Sequence, residues 1–166
     1  MASASRRQAR IIALQTLYEV DSTQHPVGDV LSRNLDEPVS ESASPPTPLE
    51  PAGQAFAREL VEGVLAHTGD LDDLIARSAP SWPLDQMSSI DRNILRLAIF
   101  EILFDNRVPL KAAINEAVEL AKRFGSDSSS RFINGVLGTV ASEQPARGSR
   151  KGAGGSGSVP PRAQQA

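Results

Sequence analysis

SSIDRNILRLAIFEILFD, Ser88 to Asp105, is the stretch on which the fold turns. Ser88 followed three residues later by Asp91 has the spacing of a capping box at a helix start. Beyond it Ile90, Ile94, Leu95, Leu97, Ile99, Ile102, Leu103 and Phe104 point nearly all round a helical wheel. A helix that is apolar on every side has to be enclosed by others, so this segment predicts the central helix of a helical fold. Composition agrees: aromatic residues make up only 4% of the chain, whereas strands draw on aromatic and β-branched side chains. With 166 residues, 40% of them hydrophobic, the chain can enclose one core, and two full-sized domains would stretch it. The expectation is an all-α protein folded as one unit.

Helical patterns continue on both sides of this centre. Upstream, APSWP (Ala79 to Pro83) breaks the chain, with Trp82 expected to pack over the seam. Before it Leu71, Leu74 and Ile75 form one apolar face, and Phe56, Leu60, Val61, Val64 and Leu65 another, with a break at Gly69 and Asp70. The first helix is read from about Ser5 to Gln24, capped by Ser3 or Ser5 and striped by Ile11, Leu14, Leu17, Tyr18 and Val20. Pro26 then admits a short helix through Val27, Val30, Leu31 and Leu35. Downstream, Pro109 opens a helix packed by Ile114, Val118 and Leu120, which Gly125 ends. A last helix, capped by Ser126 or Asp127, carries Phe132, Ile133, Val136, Leu137 and Val140.

Two segments lack such periods. DEPVSESASPPTPLEPAG, residues 36–53, is too rich in proline, serine and acid to repay ordering by burial and reads as a mobile surface loop, with order resuming at Gln54. After Ala141 the apolar pattern stops, and residues 142–166 read as a disordered, basic, low-complexity tail. The domain expectation is therefore one folded unit over residues 1–141 followed by that tail.

The formal net charge of −3 conceals an asymmetry. Met1 to Arg10 and Gln144 to Ala166 hold seven basic residues and no acid, so all 20 acids of the chain lie in the body between them. An acidic body repels nucleic acid in general, and contact with a polyanion has to come from a few placed cations. With no cysteine there is no disulfide and no thiolate chemistry, which is consistent with the cytoplasm. The start lacks the apolar run of a secretory signal, and no 18 apolar residues run together, so a soluble protein is expected.

Catalytic patterns are missing. His25 and His67 lie far apart with no partner motif, and surface or capping roles suit them better than nucleophilic catalysis. The tail glycines GAGGSG lack the lysine and the strand-to-helix setting of a phosphate loop. Asp72 and Asp73 occupy adjacent positions that do not converge on one helix face, and read as solvated surface. Neither an enzyme, a metal nor a cofactor is expected.

Basic side chains stand out instead. On a helix, Arg6, Arg7 and Arg10 fall within about a third of the circumference, at the end where the helix dipole prefers anions. They read either as a frayed, solvated terminus or as a phosphate clamp, for which the planar guanidinium fork is suited. A second group sits in VPLKAAINEAVELAKRFGSDSSSRFINGVLG (Val108 to Gly138). There Lys122, Arg123 and Arg131 surround a helix-glycine-helix corner, with hydroxyls at Ser126, Ser128, Ser129 and Ser130 and with Phe132 adjoining. Cations, hydroxyls and an aromatic platform are the mixture that holds single-stranded RNA, although Phe132 reads first as core. Asn115 and Asn134 are poor helix residues and call for local compensation, such as a side-chain hydrogen bond tying the last two helices together.

RRQARIIALQTLYE (Arg6 to Glu19), IDRNILRLAIFEI (Ile90 to Ile102) and the Val108 to Gly138 stretch resemble the NusB family of transcription antitermination factors, in the same order and at compatible spacing. The resemblance implies about seven helices in two small bundles set at an angle. It implies a non-catalytic RNA-binding role in which the protein pairs with NusE, a ribosomal protein, on boxA single-stranded RNA of nascent ribosomal RNA and helps RNA polymerase pass terminators. Carried over residue by residue, it assigns RNA contact to Arg6, Arg7, Arg10, Ser128, Arg131 and Phe132, and contact with the protein partner to Tyr18 and Asp91. Where relatives have two acids at the positions of Asp127 and Ser128, this chain has serine at the second. A homodimer of the free protein is compatible with the family. The competing readings are a helical protein adaptor that never touches RNA, and a NusB-like domain associated with ribosomal RNA methylation.

Overall fold

The computed structural model describes residues 3–36, 48–105 and 107–143, and among these every regular element is helical. The α-helices are α1 (Ser3–Thr23), α2 (Val27–Asp36), α3 (Pro51–Ala66), α4 (Thr68–Ser78), α5 (Ser89–Phe100), α6 (Leu110–Phe124) and α7 (Ser129–Glu143). A 3₁₀ turn at Leu84–Gln86 precedes α5, and a π-helical turn at Glu101–Asp105 continues it. Helix α1 packs on α2, α3 and α5, while α5 also packs on α4, α6 and α7. Two groups, α1–α3 and α4–α7, thus share one continuous hydrophobic core with α5 between them. No helix among the described residues is long and apolar enough to cross a membrane.

The central helix starts as its sequence dictates. Ser88 is the N-cap, and its hydroxyl accepts the Asp91 backbone N–H at 3.1 Å. The reciprocal half of a capping box is not formed, since the Asp91 Oδ1 is buried without a hydrogen-bond partner. Ile94, Leu95, Leu97 and Ile99 are enclosed. The expected uninterrupted helix is corrected at its C-terminal end, where the π turn inserts and leaves Phe104 44% exposed while Glu101 is 3% exposed. A widened turn re-aims side chains, and here it accompanies an inward-facing Glu101 among the apolar residues.

That inward carboxylate meets α1. Arg10 donates to Glu101 through Nε at 2.8 Å and Nη2 at 2.9 Å, with both side chains about 95% buried. The Phe56 ring of α3 lies under the Arg10 guanidinium at 5.5 Å, so one ion pair links α1, α3 and the end of α5. Burial pushes the Glu101 carboxyl up, and Arg10 pulls it back toward ionisation. Polar ties reinforce the same seams. Asn34 donates to Thr16 at 3.0 Å between α2 and α1, and Arg96 of α5 grips Asp72 of α4 through two bonds at 2.7 and 2.9 Å. Asp72 is therefore a structural anchor and not the solvated surface residue its spacing suggests.

Several boundaries move. Helix α3 begins at Pro51, three residues before the expected start, and Leu49 ahead of it is buried; a single apolar anchor and an N-terminal proline suffice to order the end of the supposed loop. Residues 37–47 of that segment lie outside the described residues. The break between α3 and α4 falls at His67, which leaves Gly69 and Asp70 inside the first turn of α4, where an acid suits the helix dipole. Leu65 faces outward at 40% exposure. At Gly63 the α3 backbone passes so close to α5 that a Cβ would stand 2.1 Å from the Phe100 ring. Asn115 and Asn134 both point outward, and what joins α6 to α7 is apolar: Ala113, Ala117, Leu120 and Ala121 against Ile133, Val136, Leu137 and Val140. Helix α7 runs to Glu143, two residues past the expected limit, and residues 144–166 lie outside the described residues.

Breaking a buried pair from one side strands the other charge. Glu101→Gln should therefore lower unfolding free energy by about 3 kcal/mol or more in denaturant titration, whereas Arg10→Met combined with Glu101→Leu should cost well under the sum of the single changes. Additive losses would show that the two side chains do not act as a pair.

Candidate functional site

The three arginines of α1 do not form one exposed cluster. Arg7 is exposed and Arg6 half-buried, but Arg10 is 4% exposed and committed to Glu101. The reason is the helical pitch: Arg10 shares the inward arc with Ile11 and Leu14, and the core there provides a carboxylate to receive it. Arg10 is thus an anchor beneath the surface, which corrects the expectation of a three-pronged clamp.

Arg7 lies at the rim of a groove of about 260 Å³ between α1 and α6, lined by Ile11, Leu120, Lys122 and Arg123 together with Glu116 and Glu119. Its guanidinium grips Glu116 through Nε at 3.2 Å and Nη2 at 3.0 Å. The hydrogen bond and charge of Glu116 push the Arg7 guanidinium further up from its ordinary range. Lys122 reaches Glu119 at 3.3 Å, and burial lowers Arg123.

On the other flank of the end of α6 a larger cavity of about 530 Å³ opens between α5 and the α6–α7 corner. Asp91, Ser128, Arg131 and Phe132 all line it, along with Trp82 and Phe124. The family resemblance implies two different partners for these residues, and the fold brings them to one cavity. Trp82 does not seal the seam as expected. It is 53% exposed, with its ring 5.8 Å from that of Phe132. Nothing in APSWP distinguishes a packing tryptophan from a displayed one, and only the position of α7 reveals the pair.

The corner itself is held by Ser129, which no cap pattern singled out. Its buried hydroxyl accepts the Ser126 backbone N–H at 2.9 Å, and its own N–H donates to the Ser126 carbonyl at 3.0 Å. These bonds cap the turn in place of the predicted Ser126 or Asp127 side chain. Gly125 ends α6 in an extended conformation with φ −90°. Its need is for room, since a Cβ would lie 2.5 Å from the Ser129 side chain and 2.7 Å from the Ala121 carbonyl. Ser126, Asp127 and Ser128 are displayed on the outside as a result.

Tyr18 stands apart, 42% exposed on α1 and lining neither cavity. One turn further along, Asp21 fixes the end of α1 to the start of α5. Its Oδ2 accepts from Arg92 at 2.7 Å, Asn93 at 3.1 Å and Ser89 at 3.2 Å, with Arg96 at 3.6 Å. Among the described residues no group of acids and histidines has the arrangement of a metal site.

Residues 7–142 match the NusB family. The transcription antitermination protein NusB of Roseiflexus castenholzii is 51% identical over 139 residues, which cover 82% of this chain and 92% of that protein. That of Dehalococcoides mccartyi strain CBDB1 is 50% identical over 139 residues, covering 84% and 91%. Among solved structures, T. maritima NusB superposes with a TM-score of 0.74 at 31% identity, over 88% of this chain and 96% of that one. A crystal structure of antitermination factors NusB and NusE in complex with dsRNA shares the fold with a TM-score of 0.70 at 22% identity, over 84% and 97%.

The Asp21 cluster generates a pH prediction. Burial alone would raise this carboxyl, but the hydrogen bonds from Arg92 and Asn93 and the charges of Arg92 and Arg96 outweigh it and hold the pKa below the ordinary 3.8. A carboxyl depressed by folding contributes stability that is fully present above its unfolded pKa and is lost as pH falls through the folded one. Wild type should thus exceed Asp21→Asn by about 1 kcal/mol at pH 7, with the difference fading below about pH 4. A difference that persists undiminished at about pH 2 would assign the effect to packing.

Proposed function

The chain belongs to the NusB family of transcription antitermination proteins, and from that premise we propose that it is an RNA-binding factor which pairs with NusE, a small-subunit ribosomal protein, on boxA RNA of nascent ribosomal RNA transcripts. It works there without catalysis, in the bacterial cytoplasm, as part of the antitermination complex with RNA polymerase. The observation that carries the RNA reading is the surface around the end of α6, where Arg7, Lys122 and Arg123 border one cavity and Arg131, Phe132 and Trp82 the other. On a chain whose body is acidic, this is a local concentration of cationic N–H donors for phosphate oxygens beside rings on which bases can stack.

In this reading Arg6 and Arg7 donate to phosphates, Arg131 and the Ser128 hydroxyl hold the strand at the corner, and Phe132 offers the stacking face. Arg10 serves by fixing α1 from below. Tyr18, 42% exposed on α1, and Asp91 at the start of α5 face the protein partner. The helical unit that ends with α7 at Glu143 binds RNA, and the basic segment beyond it, residues 144–166, adds weak, sequence-independent attraction for RNA.

Filter-binding titrations with a short boxA-like RNA and a scrambled one, with and without NusE, test the proposal. Replacing Arg6, Arg7 and Arg131 by alanine should preserve the fold and weaken boxA binding by roughly tenfold for each arginine removed, the worth of about 1.5 kcal/mol for a charge-assisted bond. The slope of log affinity against log salt should shrink by about 0.7 for each phosphate no longer neutralised by Arg6 or Arg131. A variant that keeps its RNA affinity and its salt slope would favour the adaptor that never touches RNA.

A further inference from the structure

Arg7 is assigned to phosphate by the reading above, yet in this structure its fork is already occupied. Both bonds go to the two oxygens of one carboxylate, Glu116 of α6, at 3.2 and 3.0 Å. A carboxylate offers a guanidinium the same paired-acceptor geometry as a phosphodiester does. The two partners are unequally placed. The Arg7 side chain is 56% exposed, whereas that of Glu116 is 19% exposed and lies within 3.9 Å of Arg10 as well. Glu116 is therefore held in the groove wall while Arg7 remains free to swing.

We propose that Glu116 is an affinity-setting residue that occupies the place of an RNA phosphate on Arg7 in the free protein and must be displaced when RNA binds. The inference rests on the RNA-binding reading and adds to it a resident competitor. Its consequence is thermodynamic. When RNA takes Arg7, a counterion leaves the phosphate, but the released Glu116 carboxylate recruits a cation in turn, so this pairing adds little to the salt dependence. Sequences that engage the rest of the surface well can meet the cost of displacement, while a bare polyanion that offers charge alone gains less from Arg7.

The experiment compares wild type, Arg7→Ala, Glu116→Gln and the double variant in titrations of a boxA-like single strand and of a scrambled strand over a range of salt, in the presence of NusE. Glu116→Gln keeps the size of the side chain and its acceptor oxygen. Because Glu116 also stands 3.9 Å from the buried Arg10, the thermal midpoint of each variant is measured alongside, and binding is compared at a temperature where all four are folded. The expected result is that Glu116→Gln binds the boxA-like strand about 2- to 5-fold more tightly, the equivalent of releasing an exposed ion pair, with a gain on the scrambled strand no larger than that. Its salt slope should steepen by up to about 0.7, and both gains should vanish in the double variant. Equal or weaker binding by Glu116→Gln, alongside a loss in Arg7→Ala, would overturn the inference while leaving Arg7 on the RNA surface. No loss in Arg7→Ala would remove the arginine from that surface and the inference with it.

Discussion

The buried pair of Arg10 and Glu101 is the constraint from which most of the structure can be read. Two charges about 95% removed from water are tolerable only as a well-formed fork with neighbours that do not compete. Arg10 fixes the rotation of α1, Glu101 marks where α5 gives way to the π turn, and Phe56 of α3 lies beneath the guanidinium at 5.5 Å. Once α1 is held at this rotation, Arg7 has to emerge beside α6, and the groove with Glu116 and Lys122 follows. An apolar pair would hold the helices together at least as firmly, but it would not specify the rotation of α1 as a directional fork does.

Two modes of charge use follow from that geometry. Inside, carboxylates satisfy arginines that join helices, as Asp72 does for Arg96 and Asp21 for Arg92 and Arg96. Outside, around the end of α6, cations are displayed, and part of that display is shielded by acids of the same helix. A body with excess acid can thereby present a confined basic surface, as selective RNA recognition requires. The helix-glycine-helix corner is the fixed point of that surface. Gly125 permits the close approach to Ser129, and the turn then carries Ser126 to Ser128 into solvent.

Much of the fold was legible in the sequence because helical periods report burial directly. The stripe Ile11, Leu14, Leu17 and the run Ile94 to Ile99 are interior as expected. Pro51 and His67 shifted boundaries because one proline or one turn of backbone hydrogen bonds decides a helix end, and neither has a period. The site was less legible. Arg6, Arg7 and Arg10 look equivalent in a helical projection, and only the position of Glu101, 91 residues away in sequence, separates the anchor from the exposed donor. For the same reason Glu116 drew no attention and Trp82 was read as a packing residue. Each acquires meaning from a residue that the fold, and not the sequence, places beside it. The mixture of cations, hydroxyls and an aromatic at the corner brought Ser128, Arg131 and Phe132 into view, and the structure brings these three together with Asp91.

The division between a core arginine and a surface arginine is the claim on which the account stands, and side-chain NMR reads it directly. In a titration of the isotope-labelled full-length protein with boxA-like RNA and NusE, the Arg7 Nε–H resonance should shift progressively and lose its coupling to Glu116. That of Arg10 should stay in place, slow to exchange with solvent, before and after RNA is added. An Arg10 Nε–H that exchanges rapidly in the free protein, or shifts with RNA as far as that of Arg7, would contradict the account.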